Sequence, residues 1–436
     1  MRRLLSTGVA ACAALTLAGS AAAQDTTRVP EGVRVGINYT PGAQPGLVVI
    51  PGPGIDSVRA IVARDLDYSD RFKIIPVADP GGSAATGPIN YGLYKALGAD
   101  FAVELLDQGG KVTARLHDVA RSLLANQQTA SLPPPSDANF RLAVHVLSDE
   151  IVRWATGTPG IAATRILYVQ SGRVWQMDAD GYGARALTPD GQTSLSPAWS
   201  PDGRRMAFTK LVEGRGGVFL QTLATGEVAQ LPGTESGLNI TPMFAPDGQR
   251  VVYARSDEKG TDIYVATLGD RTPQRLTAGK FADNLSPTYS PDGRRIAFIS
   301  TRAGPPQLYS MGADGTEQEL FAPFDFGVTG PSYAPEWSPD GSSVVFHREV
   351  SGVPQIFVLT VAGRKLRQIS STGRNEDATW APDGRHLCFV SDRTGARQLW
   401  VIDAETGRNR QLSTPGWARL PAWSRRLAGA AVVSNP

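Results

Sequence analysis

One phrase returns along the C-terminal two-thirds of the chain: SPAWSPDGRRMAF from Ser196, TPMFAPDGQRVVY from Thr241, SPTYSPDGRRIAF from Ser286, APEWSPDGSSVVF from Ala334 and DATWAPDGRHLCF from Asp377. A shortened copy, LPAWSRRL, begins at Leu420. The starting points lie 45, 45, 48, 43 and 43 residues apart. That period matches one four-stranded propeller blade, a unit that cannot bury its apolar face alone and must stack on neighbours.

Each copy has a local physical reading. The x-Pro-x-aromatic start is a short strand. Pro-Asp-Gly is a tight turn, because Pro presets φ, Asp bonds the turn backbone and Gly tolerates positive φ. The alternating apolar residues that follow read as a half-buried returning strand. Third strands are expected at Asp262 to Val265, Gln307 to Ser310, Gln355 to Val358 and Gln398 to Val401, and fourth strands around Arg275 to Thr277 and Arg367 to Ile369. Residues 165 to 190 supply second, third and fourth strands with no inner strand before them, and Leu420 to Ser424 supplies an inner strand with nothing after it. Joining the two predicts a six-bladed β-propeller whose ring is closed by both ends of the propeller segment, which removes an exposed sheet edge. The equivalent aromatics Trp199, Phe244, Tyr289, Trp337, Trp380 and Trp423 are expected to pack between blades.

Residues 1–23 read as a secretory signal: Arg2 and Arg3, an apolar run from Leu4 to Leu17, then Ala21-Ala22-Ala23. Its removal leaves Cys388 as the one cysteine, so no internal disulfide can form. It also leaves 41 basic against 41 acidic residues, a balance that argues against a nucleic-acid binder.

Residues 24–160 lack the repeat and read as a small α/β domain, followed by the propeller at 161–436. Strands are expected at Val33 to Asn38, Gly46 to Ile50, Phe72 to Pro76, Phe101 to Leu106, Lys111 to Val119 and Gln127 to Leu132. Helices are expected at Ser57 to Asp65 and at Asp137 to Ala155, the latter with Ser136 as N-cap. Gly157-Thr158-Pro159-Gly160 punctuates the junction.

Several segments together resemble the TolB family of the Tol-Pal envelope system: VRVGI from Val33, RDLDYSDRF from Arg64, ALGAD from Ala96, and HVLSDEIVRWATGTPGIAATRILYV from His145. The likeness spans essentially the mature chain. It implies a monomeric, non-enzymatic periplasmic adaptor that supports outer-membrane integrity and constriction during cell division. Its propeller mouth would bind the lipoprotein Pal, and its N-terminal segment would communicate with the inner-membrane protein TolA. By position, the resemblance carries the Pal contacts to Thr193, Asn239, Thr241, Asn284, Leu285, Glu376 and Arg419, and the TolA segment to Val33, Arg34, Val35 and Ile37. The chain departs from the family pattern in the loop before Thr241 and at Arg425 and Arg426.

The competing class is a secreted propeller hydrolase or glycan-binding protein. A serine hydrolase of this kind needs a Gly-x-Ser-x-Gly elbow, and the sequence has none. His117, His145, His347 and His386 are scattered without metal-ligand spacing, so no cofactor or metal is expected. Asp178-Ala179-Asp180-Gly181 resembles half a calcium loop, but Gly312-Ala313-Asp314-Gly315 fills the same hairpin elsewhere, which favours a turn. Gly52-Pro53-Gly54 and Gly81-Gly82-Ser83 lack the strand-to-helix setting of a phosphate cradle. His145 and Glu150, on the helix before the linker, are candidates for an interdomain contact.

Overall fold

The computed structural model describes residues 44–52, 54–77, 88–258, 260–278, 282–325, 327, 329–412 and 416–427, all within one compact unit. The expected signal segment, the strand from Val33 to Asn38 with Val33, Arg34, Val35 and Ile37, and Gly81 to Ser83 lie outside the described residues.

The N-terminal part is a five-stranded sheet in the order β2-β1-β3-β4-β5, formed by β1 (Gly46–Val49), β2 (Lys73–Ile74), β3 (Phe101–Asp107), β4 (Lys111–Asp118) and β5 (Leu123–Ser131). β1 is parallel to β2 and β3, and β3, β4 and β5 form an antiparallel meander. Helices α1 (Asp56–Tyr68) and α3 (Phe140–Thr156) share one core with the sheet, since Val58, Ile61, Val62 and Leu66 recur at helical spacing opposite Val144, Leu147 and Ile151. A short helix α2 (Tyr91–Ala96), absent from the sequence reading, covers the other face through Tyr94.

Several expected boundaries shift. The strand near Phe72 shrinks to two residues, and the last strand starts at Leu123. Asn139, not Ser136, occupies the N-cap of α3, and its side chain makes no capping bond. The helix ends on Gly157, whose φ of 80° and N–H to the Arg153 carbonyl form a left-handed cap.

From Arg165 onward the described residues are propeller-like, built of strands with one 3-10 turn at Ala362–Arg364. Four separate four-stranded sheets stand in sequence space: 284–320, 332–368, 375–411, and one that combines β6 (Arg165–Gln170), β7 (Arg173–Asp178) and β8 (Arg185–Ala186) with the strand Ala418–Trp423. The remaining strands, between Thr193 and Arg275, form a single eight-stranded sheet and not the two separate blades expected. A lone parallel bridge, Gly216 to Leu238, joins its halves. The strand Ala418–Trp423 runs antiparallel to β6 in the register Ala418 to Gln170 and Trp423 to Ile166.

The cores lie between sheets. Phe244, Tyr289, Trp337, Trp380 and Trp423 each occupy a different apolar cluster, and Trp199 packs on a sixth. The cluster around Trp423, for instance, takes Tyr168 and Met177 from one sheet and Cys388, Val390 and Leu399 from another.

Every copy of the first strand carries a device that the sequence motif conceals. Ser196, Thr241, Ser286, Ala334, Asp377 and Leu420 all adopt φ between 47° and 53°. At each, the pairing with the second strand shifts register. This is a β-bulge, which bends the strand and frees a backbone amide from the ladder. Side chains from the preceding sheet take such amides, among them the Asp377 carboxylate, which accepts from Leu420 N. Glu336 accepts from Trp380 N at 3.1 Å, the His347 ring nitrogen from Asp377 N at 3.2 Å, and Thr379 from Trp423 N at 3.1 Å.

Candidate functional site

Strand direction separates two faces. The Pro-Asp-Gly turns join the end of each first strand to the start of the second. The beginnings of the first strands therefore lie beside the hairpins between second and third strands, as the pairing of Thr193 with Leu211 records. This second end carries the loops on which the family resemblance places the mouth.

The α/β part docks on the Pro-Asp-Gly face. Asp70, in the turn after α1 at φ 53° and 1% exposed, accepts from His386 Nε2 at 3.0 Å and pairs with Arg408 at 2.9 Å and Arg410 at 3.2 Å. His386 Nδ1 holds Asp383 at 2.7 Å. Arg385 pairs with Asp403 and donates to the Asp70 carbonyl at 3.1 Å. Arg408 also reaches Asp67, and Arg410 lies over the Tyr68 ring at 4.3 Å.

A second cluster ties α3 to the β7–β8 turn: His145 Nδ1 is 2.8 Å from Asp65, and Arg141 is 2.5 Å from Asp180, to which Arg64 adds a further pair. The residues from Asp178 to Gly181 thus form a turn, as expected, and Asp180 serves the domain contact. Glu150 pairs instead with Arg153 on its own helix. Asp149 accepts from Ala162 N and Ala163 N at 2.8 and 3.0 Å, and Arg426 stands 3.4 Å away. A Cβ on Gly160 would meet Asp149 at 2.4 Å, which explains the glycine at the end of the linker.

The electrostatics follow from these contacts. Burial alone would lower the His386 pKa, but Asp383 and Asp70 outweigh it and hold the imidazole above its ordinary value. His145 is raised in the same way, with Asp65 outweighing burial and Asp180 and Asp178 adding to it. Burial pushes Asp149 up to about 7 against its two backbone donors.

The trios Asp65, His145, Asp180 and Asp70, His386, Asp403 bring ligand-type atoms close enough for a metal ion. Each is already enclosed by guanidinium groups, from Arg64 and Arg141 in one and Arg385, Arg408 and Arg410 in the other. A cation would face like charge, so the arrangement is an ionic clasp. Neither imidazole touches a serine or cysteine hydroxyl or thiol among the described residues, and burial pushes the Cys388 thiol up, away from nucleophilic use.

At the mouth, the sequence-derived residues fall into two kinds. Asn239 and Asn284 are fully buried. The Asn239 amide donates to the carbonyls of Gly216 and Ser236 at 2.8 and 2.9 Å. The Asn284 amide donates to Asp262 at 3.1 Å, and its oxygen accepts from Arg302 at 3.0 Å. These two shape the loops and present no surface of their own. Asn375 is their equivalent in the next sheet but one and was missed. Thr193 and Arg419 are exposed, and Thr241, Leu285 and Glu376 are half-buried. Glu376 is flanked by Arg374 at 3.5 Å and Arg397 at 3.4 Å. Trp417, which the sequence reading also passed over, is 68% exposed and precedes Ala418, whose N–H donates to the Arg397 carbonyl at 3.0 Å.

Fold and site together define a propeller-like repeat protein with one face occupied by its own α/β part and, among the described residues, the other left uncovered by it. The profile of the TolB beta propeller domain matches residues 152–323 and 326–434, and the chain belongs to that family. Among curated relatives, a "Tol-Pal system protein TolB" from Methylococcus capsulatus is 32% identical over 49% of this chain and 52% of its own length. One from Alcanivorax borkumensis is 33% identical over 42% and 45%. The chain spans about half the length of the curated relatives it matches. In fold it is similar to the crystal structure of TolB from Acinetobacter baumannii, with a TM-score of 0.77 at 24% identity, covering 89% of this chain and 99% of that one.

Proposed function

We propose that this chain is a periplasmic, non-enzymatic adaptor of a Tol-Pal system. On this reading it docks the lipoprotein Pal on its mouth face and communicates with TolA through the segment around Val33, Arg34, Val35 and Ile37. Its role is then to support outer-membrane integrity and constriction during division. The observation that carries the reading is the face that the α/β part leaves open, in a chain whose curated relatives are named as Tol-Pal components.

The finer architecture belongs to the same proposal. Residues 24–160 form the α/β domain, and 161–436 the propeller. The eight-stranded sheet works as two blades hinged at the single Gly216 to Leu238 bridge, which makes six. The pairing of Ala418–Trp423 with β6 closes the ring, supported by the contact of that strand with Thr193–Trp199 in the next sheet.

The test is co-purification of the mature protein with the soluble domain of Pal. Capture that fails after a T193R/L285R double substitution at the mouth supports the reading, and capture that survives it removes the mouth from the account. Deleting Gln24 to Gly32 should shift the affinity for Pal without altering the mouth, since two linked sites affect each other reciprocally.

A further inference from the structure

The repeat makes the six mouth positions equivalent in backbone but not in chemistry. One residue before each bulge, the first strands carry Leu195, Ile240, Leu285, Tyr333, Glu376 and Arg419. Four consecutive positions are apolar or aromatic, and the last two are charged. Glu376 is flanked by Arg374 and Arg397, whereas Arg419 forms no ion pair among the described residues. The buried Asp377, on which Arg397 and Arg419 both act, adds a second acid, so three guanidinium groups face two carboxyls and the arc stays cationic, with Arg419 outside any salt bridge among the described residues.

Trp417 precedes the strand Ala418–Trp423 on this same arc, where Gln398 Nε2 fixes the neighbouring Gly416 carbonyl at 2.7 Å. At 68% exposure it is the most exposed large apolar side chain among the described residues. A fixed backbone that holds an indole in water beside an arginine has the composition of an interface anchor, since Trp and Arg dominate the affinity of protein contacts. We propose that Trp417 and Arg419 anchor the docked partner on one side of the mouth, and that the partner presents an apolar pocket next to a carboxylate.

The inference rests on the docking reading above and adds the chemistry of its partner. The asymmetry has a further consequence. A mouth of six equivalent loops offers several rotations to a partner, whereas an apolar arc facing a cationic one admits a single register.

The experiment measures binding of the soluble domain of Pal to wild type, W417A, R419E and R215E, the last reversing a charge on an outer hairpin of the same face. All three changes lie on exposed side chains, and thermal melts confirm the fold. The expected result is at least a tenfold loss for W417A, a larger loss with a shallower salt dependence for R419E, and affinity within twofold of wild type for R215E. Wild-type binding that W417A and R419E leave within twofold overturns the anchor and keeps the docking reading. Absence of wild-type binding overturns both.

Discussion

His386 Nε2 lies 3.0 Å from a carboxylate oxygen of Asp70, a residue 316 positions earlier in the chain, and both side chains are sealed from solvent. This contact fastens the α/β part to the propeller face that carries the Pro-Asp-Gly turns. With His145 on Asp65, it places two imidazoles at the seam between the parts. His386 faces Asp70, Asp383, Arg408 and Arg410. His145 faces Asp65, Asp178, Asp180 and Arg141.

Both imidazoles are raised above their ordinary value, so the folded state holds protons that the unfolded chain releases. The stability they contribute is complete below the unfolded value of about 6.5 and is lost as pH rises through the higher folded values. Melts from pH 6 to pH 9 should therefore show a falling midpoint, with the slope reduced in H386Q. Hydrogen exchange should quicken first at Asp67 to Phe72. A midpoint that rises over this range contradicts the assignment.

Asp70 balances His386, Arg408 and Arg410 at once. D70N keeps a residue that tolerates the left-handed backbone but leaves the buried Arg410 without its carboxylate and takes one of two carboxylates from His386 and from Arg408. Loss of one member of a buried ionic network costs about 3–5 kcal/mol. Urea denaturation should show a loss of that size, accompanied by proteolytic cleavage between the α/β part and the propeller.

Glu336 is the opposite case. Burial pushes its pKa up to about 7, against the bonds from Trp380 N and Thr379, and no cation pairs with it among the described residues. A raised carboxylate stabilises below its unfolded value and loses that contribution as pH rises through the folded one. E336Q retains the acceptor without the charge, so it should stabilise the protein by about 2 kcal/mol at pH 8 and far less at pH 5. Equal effects at the two pH values would show that the Glu336 pKa is not raised in the folded state.

The bulge residues test the backbone account. At Ser286, φ is 49°. Glycine relieves the left-handed conformation but adds unfolded-state entropy, so S286G should change stability by less than about 1 kcal/mol. S286V, β-branched at positive φ, should cost about 1–2 kcal/mol. Equilibrium unfolding distinguishes the two.

Much of the architecture is legible in the sequence because it rests on local, periodic chemistry. The Pro-Asp-Gly turns, the alternating returning strands and the aromatics from Trp199 to Trp423 recur at fixed offsets, and the structure places each aromatic in its own core between sheets. The clasp was not legible. Asp70, His386 and Arg410 are unremarkable alone, and only tertiary packing brings them together. His145 was singled out by its place before the linker, and Asp65 is its partner.

At the mouth, position in the repeat located Asn239 and Asn284, but position carries no information about burial. Their amides turn inward because the loops before each bulged strand need donors. Trp417 sits in the one copy whose second half is missing, where comparison with the other copies gives no guide.

The most direct test of the account is calorimetric titration of the mature protein with the soluble domain of Pal, on wild type and on the T193R/L285R double variant. Saturable one-to-one binding to wild type and at least a tenfold weaker affinity for the variant are expected. No binding to wild type, or equal affinity for both, would contradict it.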